Sequence, residues 1–431
     1  MKKIDISIAG LGNVGSSLVC LIEKNSEFVK NKADININIL GISAKNKNKK
    51  RIFNSSKYRW IQDPKDLLNI DGKKPNILIE LIGYEKDISY DLVKLALQNN
   101  INVVTGNKAM LANYGDELFK IAEDNNVLLF FEAAVAGGIP IIKVLNEFLI
   151  SNKIKKIYGI LNGTSNFILT KMLNSKSKFE KILQEAQQLG YAEADPSFDI
   201  DGVDTCHKLA ILSSLAFNIN CDLKSIYVEG IRNIDLTDLL YANELGFKVK
   251  LLGIAQINKK KLINFVYPCL VNENELISKV DGVFNGIVVE SDFCKKSFLQ
   301  GEGAGSQPTA TSVLSDIIDL SIKEYKEKPK SKINIVRNTN ILDRSGSFYL
   351  RFSAIDQPGV ISGITNEFKK NNISMKSMLQ KDGISKEKKS ATIVVTTHNC
   401  KEKDMIKALK KINNLSFVLK KTTFIRIENF K

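Results

Sequence analysis

Near the start of the chain, Ile4, Ile6 and Ile8 alternate with polar residues. The chain then reads Gly10-Leu11-Gly12-Asn13-Val14-Gly15 and continues as VGSSLVCLIEK. The alternation predicts a strand and the following apolar spacing a helix, so G-x-G-x-x-G falls where one hands over to the other. Alone the motif is weak; in this context each glycine has a physical task. Gly10 permits the tight turn, Gly12 lets backbone approach a pyrophosphate, and Gly15 lets helix pack close to strand. The helix N-terminus, with Asn13 and Val14 in its first turn, then faces the phosphates. A chain that opens this way is largely committed to a parallel, doubly wound sheet that binds a dinucleotide.

The following segments keep that rhythm. ININILGIS (35–43), NILIELI (76–82), INVVT (101–105) and VLLFFE (127–132) read as strands, with SYDLVKLALQNN and YGDELFKIAEDNN as helices between them. The strand ends at Gly83 and at Thr105 to Lys108 are expected to line the cofactor crevice. An NAD site places an acid at the end of the second strand to hold the ribose. Here the chain has Ser43-Ala44-Lys45-Asn46-Lys47. Cations without an acid favour a 2′-phosphate, so NADP(H) is favoured over NAD(H), with Lys45 as a contact.

The formal net charge of +15 raises the question of nucleic acid. The lysines are spread along the chain, and only 45–51 and 323–332 form local runs. No nucleic-acid-binding motif accompanies them, so solvated faces explain the charge better. Six cysteines lack C-x-x-C spacing and only His207 and His398 exist, which leaves no zinc constellation. Reduced thiols and a cytoplasmic location are expected. Met1-Lys2-Lys3 leads at once into a strand, with no sign of a signal peptide. The most apolar stretch, VLLFFEAAVAGGIPIIKVL (127–145), is broken by Glu132, two glycines and Pro140. It reads as core, not as a membrane span.

From Pro140 the pattern changes. Pro140 suits the first position of a helix, IIKVLNEFLIS. A strand, IKKIYGIL, and a turn, Asn162 to Asn166, follow. FEKILQEAQQL is a helix that Gly190 ends. The stretch Gly190 to Lys208, GYAEADPSFDIDGVDTCHK, then sets five acids in a basic chain: Glu193, Asp195, Asp199, Asp201 and Asp204. A helix from about Gly202 puts Asp204 and Lys208 four apart on one face. Such a pair is commonly a solvated surface pair, and such a loop commonly a solvated loop. Placed between apolar helices, the same residues could grip a substrate amine and transfer a proton.

FKVKLLGIAQI, KLINFVYPCLV and FNGIVVESD predict antiparallel strands. A second glycine-rich turn, Gly301 to Gly305, precedes the helix TATSVLSDIIDLSIKEY. Residues 326–344 read as a linker. FYLRFSAID, a helix to about Lys370, ISMKSMLQ, SATIVVTTH, KDMIKALKKI and TTFIRIE then spell β-α-β-β-α-β, a ferredoxin-like module.

Taken together, AGLGNVG, TGNKAM, EAAVAGGIPII, LNGTSNFILTKM, LGYAEADPSFDIDGVDTCHKLAILSSLAF, GEGAGSQPTATSV and AIDQPGVISGIT resemble homoserine dehydrogenase of the monofunctional form, with a C-terminal ACT domain. The matches span nearly the whole chain, and the acidic-loop motif is the most specific. The resemblance implies an α/β chain in three parts. They are a Rossmann-type domain (1–135, completed by a helix at about 306–325), an α+β catalytic and dimerisation domain with a mixed sheet (136–305), and, after the linker, an ACT domain (345–431).

The implied reaction is NAD(P)H-dependent reduction of L-aspartate 4-semialdehyde to L-homoserine, on the path to threonine and methionine. By resemblance Lys208 is the proton donor and Lys108 a second functional lysine. Glu193 and Asp204, helped by Asp199, bind the substrate. Thr105, Lys108, Gly190, Gly303 and Gly305 join the cofactor site. Glu132, Val135, Gly137 and Ile139 surround a monovalent cation such as sodium, mainly through carbonyls. Ala136 departs from the family there, replacing a usual glycine. Two other classes remain: a sensor that has lost catalysis, against which Lys108, Glu193, Asp204 and Lys208 argue, and a nucleic-acid-binding protein.

The turn Asp356-Gln357-Pro358-Gly359-Val360 sets backbone N–H groups at a helix N-terminus, able to meet a carboxylate. Paired ACT modules imply an amino-acid effector, with threonine the natural candidate, and a homodimer or homotetramer. Cutting the linker is expected to abolish that control and leave basal turnover largely intact.

Overall fold

The computed structural model describes residues 1–83, 88–258, 261–322, 337–382 and 390–430. In chain order the elements begin with β1 (Lys2–Ala9), α1 (Asn13–Ala33), β2 (Ile35–Ser43), β3 (Ile77–Glu80), α2 (Ile88–Gln98), β4 (Asn102–Thr105), α3 (Lys108–Asp124) and β5 (Leu129–Phe130). Then come α4 (Ile141–Lys143), β6 (Ile154–Ile160), α5 (Gly163–Ser175), α6 (Phe179–Gln188), α7 (Ser197–Ile200) and α8 (Val203–Phe217). β7 (Tyr227–Val228), α9 (Leu236–Glu244), β8 (Phe247–Asn258), β9 (Lys261–Asn272), β10 (Phe284–Ser291), β11 (Lys296–Glu302) and α10 (Ser306–Ile322) follow. The chain ends with β12 (Arg337–Asn338), β13 (Ser345–Ile355), α11 (Val360–Lys370), β14 (Met375–Asp382), β15 (Ser390–Thr397), β16 (Cys400–Lys401), α12 (Glu402–Ile412) and β17 (Val418–Glu428). They fall into two compact units. One contains residues 1–157, 204–225 and 284–322, the other 158–203, 226–283 and 337–430.

In the first unit β2-β1-β3-β4-β5 form a parallel sheet. Ile4, Ile6, Ile8, Ile77 and Ile79 share one core with Leu18, Val19 and Ile22 of α1 and Ala310, Val313, Leu314 and Ile317 of α10. A helix remote in sequence thus packs into the core of the dinucleotide-binding fold. β5 is much shorter than the expected 127–132. Its would-be end is a 3-10 turn, Glu132–Ala134, because the Glu132 amide donates to the Asp316 carboxylate at 2.9 Å instead of to a neighbouring strand.

Pro140 caps α4 and does not occupy its first position. After one turn the helix widens into a π turn, Val144–Phe148, closed by the Leu149 amide on the Val144 carbonyl at 2.8 Å. Gly301 and Glu302 are not turn residues. They end β11, which pairs antiparallel with β10 as a hairpin.

In the second unit the strand order is β8-β9-β17-β13-β15-β14. Asn162 to Asn166, read as a turn, is the start of α5, with the Asn162 side chain accepting the Ser165 amide at 2.8 Å. The C-terminal β-α-β-β-α-β module is present, with strands ordered β17-β13-β15-β14 and α11 and α12 packed on Phe348, Phe352, Ile393 and Val395.

That module is not a separate body on a tether. β17 pairs in parallel with β9, Arg426 opposite Cys269 and Ile427 opposite Leu270. The described end of the expected linker is also built in: β12 pairs with Lys261 and Leu262 on β9, and Arg344 ion-pairs with Glu428. The rest of that linker, 326–336, lies outside the described residues. Between the two sheet portions Arg426, fully buried, pairs with Glu402 at 2.6 Å and Glu229 at 2.7 Å and stacks 4.6 Å from the Tyr267 ring. Among the described residues no helix is long and apolar enough to cross a membrane.

Candidate active site

The dinucleotide turn has the geometry its glycines predict. Gly10 has φ +100°, and a Cβ there would lie 2.4 Å from the Leu81 carbonyl. At Gly15 a Cβ would meet the Gly10 carbonyl oxygen at 2.0 Å. Above Gly12 there is open space, and Gly12 caps α1 with no side chain over the first N–H groups. Gly12 and Asn13 are exposed and Val14 is half-buried. The turn is thus tightly packed at Gly10 and Gly15, where any side chain would clash with backbone, and open above Gly12, a shape that fits a pyrophosphate.

Beyond β2 the loop carrying Lys45, Lys47, Lys49 and Lys50 is exposed. Arg51 holds its shape. The guanidinium donates to the carbonyls of Asn46, Lys47 and Lys49 and lies 5.0 Å over the Trp60 ring.

Across the crevice β3 and β4 end side by side, with Glu80 opposite Thr105. Lys108 opens α3, where the Asn107 side chain caps the Met110 amide. The Lys108 ammonium lies 3.3 Å from one oxygen of Asp204, and that of Lys208 lies 2.8 Å from the other. Asp204 is 4 % exposed and Lys208 7 %, while the Lys108 side chain keeps 34 %. The i,i+4 pair is therefore not a solvated surface pair. One buried carboxylate is shared between two lysines from two helices, and the more exposed lysine faces outward.

Within the second unit, Gly190 has φ +75° just past the end of α6. Two of the five acids hold the loop in shape: Asp195 caps the Ser197 amide at 3.0 Å, and Asp201 pairs with Arg232. Asp199 accepts from the Asn162 side chain at 2.8 Å, and Glu193 is exposed. Gln187 donates to the Glu193 and Ala194 carbonyls, fixing the backbone that carries Glu193.

In the first unit, Ala136 adopts φ +56° and Gly137 φ +36°. A Cβ at Gly137 would sit 2.9 Å from the Gly303 carbonyl oxygen, and one at Gly303 1.9 Å from the Asn285 amide. Gly137 is thus required by close backbone approach and Gly303 by the buried Asn285 side chain, and Gly305, φ +117°, leads into α10. Val135 and Ile139 are buried. The Glu132 carboxylate caps the Ile142 and Lys143 amides, each at 2.9 Å, a role with no mark in the sequence. Burial pushes its carboxyl up to about 7 and that of neighbouring Asp316 up to about 8. Among the described residues no three acids, histidines or cysteines cluster as metal ligands. Any cation at this loop would rely on carbonyls. In the C-terminal module Asp356 and Gly359 are exposed, Gly359 has φ +91° at the cap of α11, and Val360 is buried.

Family comparison agrees with this geometry. Residues 10–132 match the model described as "Homoserine dehydrogenase, NAD binding domain", 140–318 that of "Homoserine dehydrogenase", and 348–417 that of the ACT domain. The chain is 39 % identical to homoserine dehydrogenase of Neisseria gonorrhoeae, covering 100 % of this chain and 99 % of that one. The Helicobacter pylori enzyme is 38 % identical, over 99 % and 100 %. Among solved structures, a homoserine dehydrogenase from Thiobacillus denitrificans superposes with a TM-score of 0.92 at 36 % identity, covering 100 % and 99 %. A hyperthermophilic archaeal homoserine dehydrogenase in complex with NADPH gives 0.62 at 30 %, covering 78 % and 100 %. With a dinucleotide cradle, a buried carboxylate between two lysines and full-length similarity at this level, the chain belongs to the homoserine dehydrogenase family, nicotinamide-dinucleotide-dependent oxidoreductases acting on CH–OH groups.

Proposed function

We propose that the chain reduces L-aspartate 4-semialdehyde to L-homoserine with NADPH in preference to NADH, and that Lys208 donates the proton. The observation that carries this reading is the Asp204 carboxylate held between Lys108 and Lys208. Gly10, Gly12, Asn13, Val14 and Gly15 would hold the pyrophosphate, with Thr105, Lys108, Gly190, Gly303 and Gly305 completing the cofactor site. The bound nicotinamide supplies the hydride.

Reduction of an aldehyde also requires a proton at the carbonyl oxygen and positive charge near it as the alkoxide develops. The Lys208 ammonium meets both needs. Its stem is fixed by burial and its head by the 2.8 Å contact to Asp204. Lys108 adds a second positive charge at the same carboxylate and orients the aldehyde. Glu193 and Asp204, assisted by Asp199, bind the amino-acid substrate.

Lys45 is the 2′-phosphate contact, supported by the acid-free basic loop that Arg51 shapes. The carbonyls of Glu132, Val135, Gly137 and Ile139 would hold a monovalent cation, sodium. The enzyme works in the cytoplasm as a homodimer or homotetramer, and the ACT domain binds threonine at Asp356, Gly359 and Val360 as a feedback inhibitor.

A continuous connection in the second unit supports such regulation. Arg426 joins Glu402 of the ACT domain to Glu229. Next to Glu229, Gly230 packs so tightly on Ile200 and Asp201 that a Cβ would lie 2.2 Å from the Ile200 carbonyl oxygen. The Ile231 amide donates to that same oxygen at 2.8 Å, directly behind Asp199. An effector would act through this strap by binding two of its arrangements with different affinity.

The test is NADPH and NADH oxidation with L-aspartate 4-semialdehyde, with and without millimolar threonine. The reading expects turnover, a kcat/KM favouring NADPH, and inhibition by threonine. No turnover with the semialdehyde would overturn the activity, a ratio favouring NADH the cofactor preference, and indifference to threonine the regulation.

A further inference from the structure

Glu80 is a carboxylate at the end of an otherwise apolar strand, with none of its surface exposed. It ends β3, whose other residues are Ile77, Leu78 and Ile79, all buried. A carboxyl group in such a place carries a desolvation cost, and burial pushes it up from the usual range. The hydrogen bonds it accepts offset that cost, and they come from two different strand ends. One oxygen accepts the Ile82 amide at 2.9 Å and the Gly83 amide at 3.4 Å. The other accepts the Thr105 hydroxyl at 2.5 Å, from the end of β4.

Thr105 passes the constraint on. Its oxygen accepts the Asn107 amide at 3.0 Å. Asn107 in turn caps α3, and Lys108 is the first residue of that helix. Lys108 ends 3.3 Å from Asp204. On the other side, the segment that Glu80 holds at Ile82 and Gly83 begins with Leu81, whose carbonyl Gly10 must clear. One buried carboxylate therefore ties the strand end beside the dinucleotide turn to the strand end that launches Lys108.

We infer that Glu80 is a positioning residue for the reduction, acting through Thr105 and Asn107 to hold Lys108 against Asp204. The inference rests on the reading of Lys108 as part of the reacting centre. Glutamine at position 80 keeps the shape and one acceptor for Ile82. Its amide, however, presents N–H to Thr105, whose hydroxyl proton then has no acceptor. Thr105 must turn to find one, and the Asn107 amide loses its partner. A misplacement on the order of 1 Å at a reacting group costs up to about a hundredfold in rate.

The experiment is a double-mutant cycle of Glu80→Gln with Lys108→Ala. Turnover is measured with saturating NADPH, and NADPH affinity by fluorescence titration. Thr105→Val cuts the same chain from the other strand and serves if Glu80→Gln is insoluble. Glu80→Gln is expected to lower kcat by about ten- to a hundredfold in the wild-type background and by less than about twofold in Lys108→Ala, with the NADPH Kd within about threefold. A merely structural role predicts equal losses in both backgrounds, and that result overturns the inference. So does wild-type kcat in Glu80→Gln, or a loss confined to NADPH affinity. Lys108→Ala alone separates the two claims: near-native turnover there refutes the role given to Lys108, and the positioning role falls with it.

Discussion

Replacing Lys208 by methionine keeps the length of a stem that is almost wholly buried and removes the ammonium. Two effects of different size follow. Loss of a positioned acid costs about 10²- to 10⁴-fold in kcat, equivalent to roughly 3–5 kcal/mol of barrier. The stability effect is smaller. Orphaning a buried charge costs about 3–5 kcal/mol. Asp204 is not orphaned, because Lys108 remains 3.3 Å from its other oxygen. Loss of one partner should therefore cost about 1–3 kcal/mol. Adding Asp204→Asn removes the buried charge and should recover part of that stability without restoring turnover. The assay is steady-state oxidation of NADPH by aspartate semialdehyde, beside urea denaturation of each variant. A folded Lys208→Met enzyme with kcat within about threefold of wild type would show that the pair is only structural, and the proton-donor argument would be refuted.

Three further expectations follow from the geometry. Arg426→Met leaves Glu402, wholly buried, with Arg344 at 3.8 Å as its one cation among the described residues. It should cost about 3–5 kcal/mol by chemical denaturation. A cut before β13 removes Glu402 together with Arg426, but it bares the β9 edge that β17 covers and takes the partners of Glu229 and Arg344, so it should yield unstable protein, not an unregulated enzyme. A stable, active truncation would contradict this.

Asp316 and Glu132 have carboxyls raised to about 8 and about 7. The folded state holds their protons more tightly than the unfolded chain does. Their favourable contribution is thus complete below about pH 4 and is lost as pH rises through 7 and 8, by at most about 1.4 kcal/mol per pH unit for each proton. Asp316→Asn should flatten the fall in melting temperature between about pH 5 and 9, and an unchanged slope would show that Asp316 does not cause it.

Ala136 already has the left-handed backbone that a glycine would adopt, φ +56°. Ala136→Gly should shift half-saturating sodium by less than about threefold, since the carbonyls need not re-aim. A tenfold tightening in a sodium titration of activity would show that the alanine distorts the loop.

The order of secondary-structure elements was largely legible because it depends on short-range physics. Alternating isoleucines before Gly10, the helix end at Gly190 and the β-α-β-β-α-β pattern after residue 345 are recorded in residues a few positions apart. The pairing of Asp204 with Lys208 is of the same kind, since one helix turn separates them. Local reading failed where a residue's partner lies elsewhere. Asn162 passes for a turn residue until its side chain is seen to cap α5, and Glu132 for a strand residue until Asp316 takes its amide.

Tertiary structure alone decided which charges are buried and what they touch. Nothing near Asp204 in sequence announces Lys108, and nothing in NILIELI announces that Glu80 will meet Thr105. Arg426 sits in the strand TTFIRIE like any exposed strand cation, yet becomes the buried joint between the ACT domain and β9. A buried charge persists only where its hydrogen-bonding partners converge on it. That convergence comes from strands and helices distant in the chain, while hydrogen-bond periodicity and turn chemistry act between neighbours and leave their record in the sequence.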